Sequence, residues 1–166
     1  MSKFNAILLL VCPLFCAAQL VPEASSYNEG VVWESVFTEG PEGKVNRGLV
    51  DAEGDAVSVS MPEGSARIHK INGENGSLIW EATFTDRLGL GIAEIIGDDG
   101  EPDYVVTGGA GATQECWLAR IEGANGSVMW ETILDEPGNN WEFDGLRSAM
   151  VGEDGYIYAS GFTGGD

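Results

Sequence analysis

Residues 67–80 read RIHKINGENGSLIW, and residues 117–130 read WLARIEGANGSVMW. Gly73, Asn75, Gly76, Ser77 and Trp80 return as Gly123, Asn125, Gly126, Ser127 and Trp130, a period of 50 residues. Self-similarity at such a period marks a repeat architecture, in which each unit buries its apolar face against the next. Both copies place an apolar run, an Asn-Gly turn and a second apolar run in series. Asn-Gly between such runs signals a tight hairpin, because both positions tolerate positive φ. After each Trp come Glu and a β-prone stretch, WEATFTD from Trp80 and WETILDE from Trp130.

A third copy lies upstream. WESVFT at residues 33–38 matches WEATFT at residues 80–85, with Trp33 and Trp80 47 positions apart. Each unit also carries an acidic turn between β-prone runs: LVDAEGDAVSVS from Leu49, EIIGDDGEPDYVVTGG from Glu94 and AMVGEDGYIYASG from Ala149. The middle turn holds three additional residues, Glu101-Pro102-Asp103, and the last unit holds five more around Gly138 to Glu142. The middle unit predicts four strands: Arg67–Ile71, Leu78–Phe84, Ile92–Ile96 and Tyr104–Thr107. Four antiparallel strands at a period of about 50 residues match a propeller blade. The expected fold is all-β, with four-stranded antiparallel blades of β-propeller type over residues 30–166, in units of roughly 30–66, 67–113 and 114–166. Trp33, Trp80 and Trp130 are the expected repeat anchors, each ring buried against the next sheet. About three blades fall short of the roughly four to eight that close a ring. The array is therefore expected to be incomplete, with self-association into a ring as the alternative.

Composition supports this reading. Hydrophobic residues make up 43% of the chain, enough for a packed core, while 24 glycines spread along it break helices. Eight Lys and Arg stand against 27 Asp and Glu, for a net charge of −19. Phosphate backbones and anionic membranes repel such a surface, so no nucleic-acid partner is expected.

Residues 1–18, MSKFNAILLLVCPLFCAA, read as a signal peptide: Lys3, an apolar run from Ala6 to Phe15, and small residues at Cys16 and Ala18 before cleavage after Ala18. The apolar run is too short to cross a bilayer. No membrane insertion is expected after its removal, a retained anchor being the alternative. Residues 19–29 read as a linker. Cys12 and Cys16 leave with the signal, so the mature chain keeps Cys116 alone and has no internal disulfide. Cys116, next to Trp117 at a strand start, is expected to be buried, with capping or pairing to another chain as the alternatives. The chain is expected to be secreted, extracellular or at the cell surface.

The segment from Cys116 to Thr163 resembles the SBBP-type β-propeller repeat of secreted and surface proteins. The matching features are Leu118-Ala119-Arg120-Ile121, Gly126, Val128-Met129-Trp130, Pro137-Gly138-Asn139-Asn140 and Asp154-Gly155-Tyr156-Ile157-Tyr158-Ala159-Ser160-Gly161. The spacing from Asn75-Gly76 to Trp80 is also similar to the tryptophan motif of quinoprotein-like propellers. The resemblance implies a fold and places no catalytic residue.

Asn75-Gly76-Ser77 and Asn125-Gly126-Ser127 are glycosylation acceptors if exposed in a secreted chain, though Asn-Gly also serves the hairpin itself. Asp98, Asp99 and Asp103 are candidates for a calcium loop, a partial one because Gly97 and Ile95 stand where further oxygen ligands belong. A solvated acidic turn is the competing reading, and no other cofactor is indicated. His69, the single histidine, is expected at the surface or partly packed. One histidine leaves no His-rich metal site, and a Ser-His-Asp arrangement is not expected. Trp141, in the longer loop, is expected to anchor that loop, with contact to a sugar or protein as the alternative. The sequence points to a non-catalytic secreted or surface repeat module for an extracellular protein or glycan partner. The alternative is a fragment of a larger propeller enzyme, such as a quinoprotein-like dehydrogenase.

Overall fold

The computed structural model describes residues 6–9, 31–35, 45–62, 64–111, 115–134 and 145–162. These residues form strands and turns without a helix. The strands are β1 (Ala6–Leu9), β2 (Val31–Ser35), β3 (Val45–Val50), β4 (Ala56–Ser60), β5 (Ser65–Ile71), β6 (Leu78–Thr85), β7 (Arg87–Ile96), β8 (Pro102–Ala110), β9 (Glu115–Ile121), β10 (Val128–Leu134), β11 (Gly145–Val151) and β12 (Ile157–Phe162). Two four-stranded antiparallel sheets run in chain order, β3-β4-β5-β6 and β7-β8-β9-β10. β11 and β12 form an antiparallel pair, and β1 pairs with β2 in parallel. The expected cleavage point after Ala18, the linker and the longer loop with Trp141 lie outside the described residues. So do the side chains of β2, including Trp33.

Each expected strand exists, and the sheets are offset from the sequence units. The stretch 67–113 gives β5 and β6 to one sheet and β7 and β8 to the next. The break falls at Asp86, whose φ of 55° turns the chain out of the first sheet. Asp tolerates this left-handed conformation better than most residues. Its N–H donates to Gly64 O, and its carbonyl accepts from Gly111 N–H, so both sheets hold the break.

The Asn-Gly hairpins form as expected, but without positive φ at both positions. Asn72 N–H donates to Ser77 O, and Gly76 N–H donates back to Asn72 O; Glu122, Gly126 and Ser127 repeat the pattern. Only the glycine takes positive φ, 74° at Gly76 and 78° at Gly126. The asparagine instead uses its side chain: Asn75 Oδ1 accepts Ser77 N–H at 2.9 Å, and Asn125 Oδ1 accepts Ser127 N–H at 2.8 Å. An Asx turn of this kind does not need positive φ at the asparagine.

The three acidic turns share one hydrogen-bond pattern, closed by Asp51–Asp55, Gly97–Glu101 and Gly152–Tyr156. The additional residues of the middle unit therefore do not enlarge its turn. They lengthen the hairpin: Ala56, the first residue of β4, pairs with Ile71, whereas the equivalent partner of Ile121 is Tyr104, two residues into β8. Asp103 thereby takes the place of Asp55, each accepting the N–H of a loop glycine, Gly123 or Gly73.

The main core lies between the two large sheets. Val57, Val59, Ala66 and Ile68 of the first sheet, with Trp80, Ala82 and Phe84 of β6, meet Tyr104, Val106, Trp117, Ala119 and Ile121 of the second. Strand alternation sorts β8: Tyr104 and Val106 face the first sheet, while Val105 packs with Leu118 and Leu146 toward β11. Each sheet thus covers the one before it. The coarse architecture is all-β, with successive antiparallel sheets stacked face to face.

Candidate functional site

The densest group of charges spans the first interface between sheets. Lys70, on β5, reaches the acidic turn of its own sheet. Its Nζ lies 2.7 Å from Glu53 Oε2, 3.2 Å from Asp51 Oδ2 and 3.7 Å from Asp55 Oδ2. The Asp51 side chain is 0% exposed and that of Lys70 4%, whereas Glu53 is 46% exposed. From the second sheet, Tyr104 Oη donates to Asp51 Oδ2 at 2.6 Å, and its ring centroid lies 5.7 Å from the ammonium. Asp51 Oδ1 accepts the N–H groups of Glu53 and Asp55 at 3.0 and 2.8 Å. The buried carboxylate is therefore fully hydrogen-bonded, as a buried charge requires.

These contacts fix the protonation states. Burial alone would raise Asp51, but the bonds from Tyr104, Asp55 N–H and Lys70 outweigh it and hold the carboxyl below its ordinary 3.8. Burial would lower Lys70, but Glu53, Tyr104 and Asp51 reverse that and hold it above the usual lysine range. Burial and the Asp51 carboxylate hold the Tyr104 phenol up. Near neutral pH Lys70 is therefore an ammonium, Asp51 a carboxylate and Tyr104 a neutral phenol. None of these is poised to exchange a proton, which is what acid–base work requires. The arrangement serves as a clasp between sheets.

A second clasp runs the other way. Trp80 Nε1–H donates to Gly123 O at 2.8 Å, and its ring tilts against Tyr104 with centroids 5.9 Å apart. Phe84 meets the edge of Trp117 at 5.0 Å. Gly123 lies so close to the preceding hairpin that a Cβ there would stand 1.6 Å from Pro102 O. The first glycine of the repeated loop is thus a packing requirement. Trp117 Nε1–H donates to Glu131 Oε1 at 2.8 Å, and Arg87 Nε binds the same oxygen at 2.7 Å.

The residues singled out in the sequence fall as follows. Asp103 is engaged by Arg120, with Nη2 to Oδ2 at 2.6 Å, and by Gly123 N–H. Asp99 Oδ1 accepts Glu101 N–H within the turn, and Asp98 is exposed. Among the described residues, the acidic group with ligand atoms all within 4.8 Å of one another is Asp51, Glu53 and Asp55, around the Lys70 ammonium. Asn75 and Asn125 are exposed at equivalent turns; Asn125 Nδ2 also donates to Glu122. Trp80 is buried against the next sheet, whereas Trp130 is 37% exposed. His69, expected at the surface or partly packed, is 2% exposed and meets Glu81 at 3.1 Å, on the face of β5 opposite to Ile68 and Lys70. Cys116 is half-buried.

One further place gathers cations. Arg47 of β3 and Arg147 of β11 line a groove with Asn46 and Leu90, of about 140 Å³. Arg147 stacks over Phe162 at 4.9 Å, and neither guanidinium meets a carboxylate among the described residues. Sequence reading missed Lys70, Asp51, Tyr104 and these arginines. The usable signal was the basic residue recurring before Ile71 and Ile121, and the Asp recurring at 55 and 103.

No protein-family model, curated protein or solved structure matches this chain. Among the described residues, no helix is long and apolar enough to cross a membrane.

Proposed function

We propose that the chain is a secreted or surface-exposed, non-catalytic β-propeller-type repeat module that binds an extracellular protein or glycan. The observation that carries this reading is a division of labour among its charges. The buried ionisable cluster of Lys70, Asp51 and Tyr104 is committed to joining sheets, while Arg47 and Arg147 stand exposed around a groove, without carboxylate partners among the described residues. A rigid stack with its reactive groups locked and a pair of guanidinium forks exposed suits recognition of an acidic ligand group. Carboxylated or sulfated glycans and acidic peptide segments carry such groups. The sequons at Asn75 and Asn125 fit the same extracellular setting, and a glycan mass increment on either asparagine would add to it.

The test is a binding screen of the intact chain against extracellular proteins and a glycan array that includes acidic sugars, run beside the Arg47→Ala/Arg147→Ala double variant. Binding that the double variant loses supports the reading. Silence across the screen, together with turnover of a substrate by the same preparation, would reverse it.

A further inference from the structure

β3, β7 and β11 each carry one residue more than the strand they pair with, at the same place in the repeat. The surplus residue is Asn46 between Val45 and Arg47, Leu90 between Gly89 and Gly91, and Arg147 between Leu146 and Ser148. A β-bulge breaks the alternation of side chains and re-aims the one it inserts; kept at one position in three strands, it is a feature of the repeat and not a defect. β7 packs against both β3 and β11, so the three bulges meet. Together with Arg47 they line one groove of about 140 Å³. Its walls are held in place. Asn46 Nδ2 donates to Gly89 O, tying β3 to β7. A Cβ on Gly91 would stand 2.8 Å from Arg147 O, so only a glycine lets β7 approach β11 this closely. Arg147 lies over the Phe162 ring at 4.9 Å, which occupies a face of the guanidinium and leaves its N–H edge to other partners.

We infer that this groove takes a single carboxylate carried on an otherwise uncharged glycan, a terminal hexuronate being the plainest case. The inference rests on the binding role proposed above for the two arginines and narrows its ligand. About 140 Å³ is the liquid volume of roughly five waters, room for one oxyanion and the ring edge that bears it. The guanidinium edges of Arg47 and Arg147 match a carboxylate. Leu90 offers apolar surface to the C–H face of a sugar ring. Asn46, with Nδ2 committed to Gly89, keeps Oδ1 as an acceptor, which suits a hydroxyl beside the carboxylate and not a second anionic oxygen. The acidic side chains of a peptide carry no such hydroxyl. Charge excludes polyanions: the chain bears 27 Asp and Glu against eight Lys and Arg, a net −19. The field of the arginines reaches one Debye length, about 8 Å at physiological salt, so an isolated charge feels the groove alone while a polyanion also meets the acidic surface.

The probe is a trisaccharide of two neutral hexoses ending in glucuronate, titrated into the intact ¹⁵N-labelled chain while the arginine Nε–H signals are followed. Its methyl ester, acetate and an oligogalacturonate decamer are titrated beside it. The Arg47 and Arg147 signals should move together and saturate with the trisaccharide. The ester and acetate should each bind at least about tenfold more weakly, and so should the trisaccharide to the Arg47→Ala and Arg147→Ala variants. Arg47→Ala should melt as the parent does, so that its loss reads the site and not the fold. The decamer should bind more weakly than the trisaccharide at low salt, with the gap narrowing as salt rises. Equal binding of the ester overturns the carboxylate, and equal binding of acetate reduces the groove to an adventitious anion site. Arginine signals that report a carboxylate of the chain itself on both guanidiniums overturn the site, and a decamer that binds tightest at low salt overturns the isolated charge. A protein ligand lost by the Arg47→Ala/Arg147→Ala double variant, with no response to the trisaccharide, sinks this inference and leaves the proposed function standing. A screen that the double variant leaves unchanged sinks both.

Discussion

Replacing Lys70 with methionine removes the ammonium from among three carboxylates while keeping most of the volume of its stem. Asp51 remains fully buried and retains the Tyr104 hydroxyl and two N–H groups. Glu53 is 46% exposed and turns to solvent at little cost. The loss therefore concentrates on Asp51, and breaking a buried pair by removing one partner costs about 3–5 kcal/mol. For a chain of this size, 1 kcal/mol shifts Tm by roughly 2–4 °C, so Tm should fall by about 6–20 °C. The effect carries a pH signature. Without Lys70 the Asp51 carboxyl loses a group that favours its charged form, so protonation relieves the defect, and the gap between variant and parent should narrow as pH falls below about 5. Lys70→Met/Asp51→Asn should recover part of the loss, since the buried charge is gone. Chemical denaturation of the parent, the two single variants and the double variant at pH 7 and pH 4 measures all of this. A Lys70→Met loss below about 1 kcal/mol, unchanged between the two pH values, would refute the reasoning.

The pH dependence of the parent has a defined sign at each end. Asp51 is held below 3.8 in the fold, so its stabilisation is present above that value and is lost as pH falls through the lowered one. Lys70 and Tyr104 are held above their ordinary values, so theirs is full below about pH 10 and is lost as pH rises further; thermal melts across pH should show a plateau with both shoulders. Trp80→Ala should cost about 3–5 kcal/mol through its buried ring, whereas Trp130→Ala, on an open face, should cost about 1 kcal/mol or less by the same denaturation assay. Gly123→Ala forces a Cβ onto the Pro102 carbonyl and should cost at least about 1–3 kcal/mol, with new chemical shifts at Tyr104 and Trp80.

The strands were legible because their signals are local. Alternation and the Asn-Gly loops mark β5, β6, β9 and β10 within windows of a few residues. The sheet break at Asp86 was not legible, because it depends on Gly64 and Gly111 gripping one residue from two different sheets. The length of the β7–β8 hairpin was misread for a related reason. Glu101-Pro102-Asp103 looks like an insertion in the turn, and only the pairing of Tyr104 with Ile121 shows that the strands absorb it. The Lys70 cluster needs cross-strand register to bring position 70 to positions 51–55, and the Tyr104 hydroxyl comes from the next sheet. The repeat also gave Trp80 and Trp130 the same standing, although burial depends on what covers each ring. His69 looked like a surface residue because a lone polar side chain usually is one. Here Glu81, opposite it on β6, supplies a partner on the face turned away from the second sheet.

Nuclear Overhauser contacts of the Trp80 indole N–H test the stacked-sheet arrangement most directly. Close contacts to the α-protons of Gly123 and Gly126 and to the Tyr104 ring, with slow exchange of the indole proton, are the predicted result. An indole proton that exchanges freely, with cross-strand contacts joining β6 to β7 as neighbours in one continuous sheet, would contradict it.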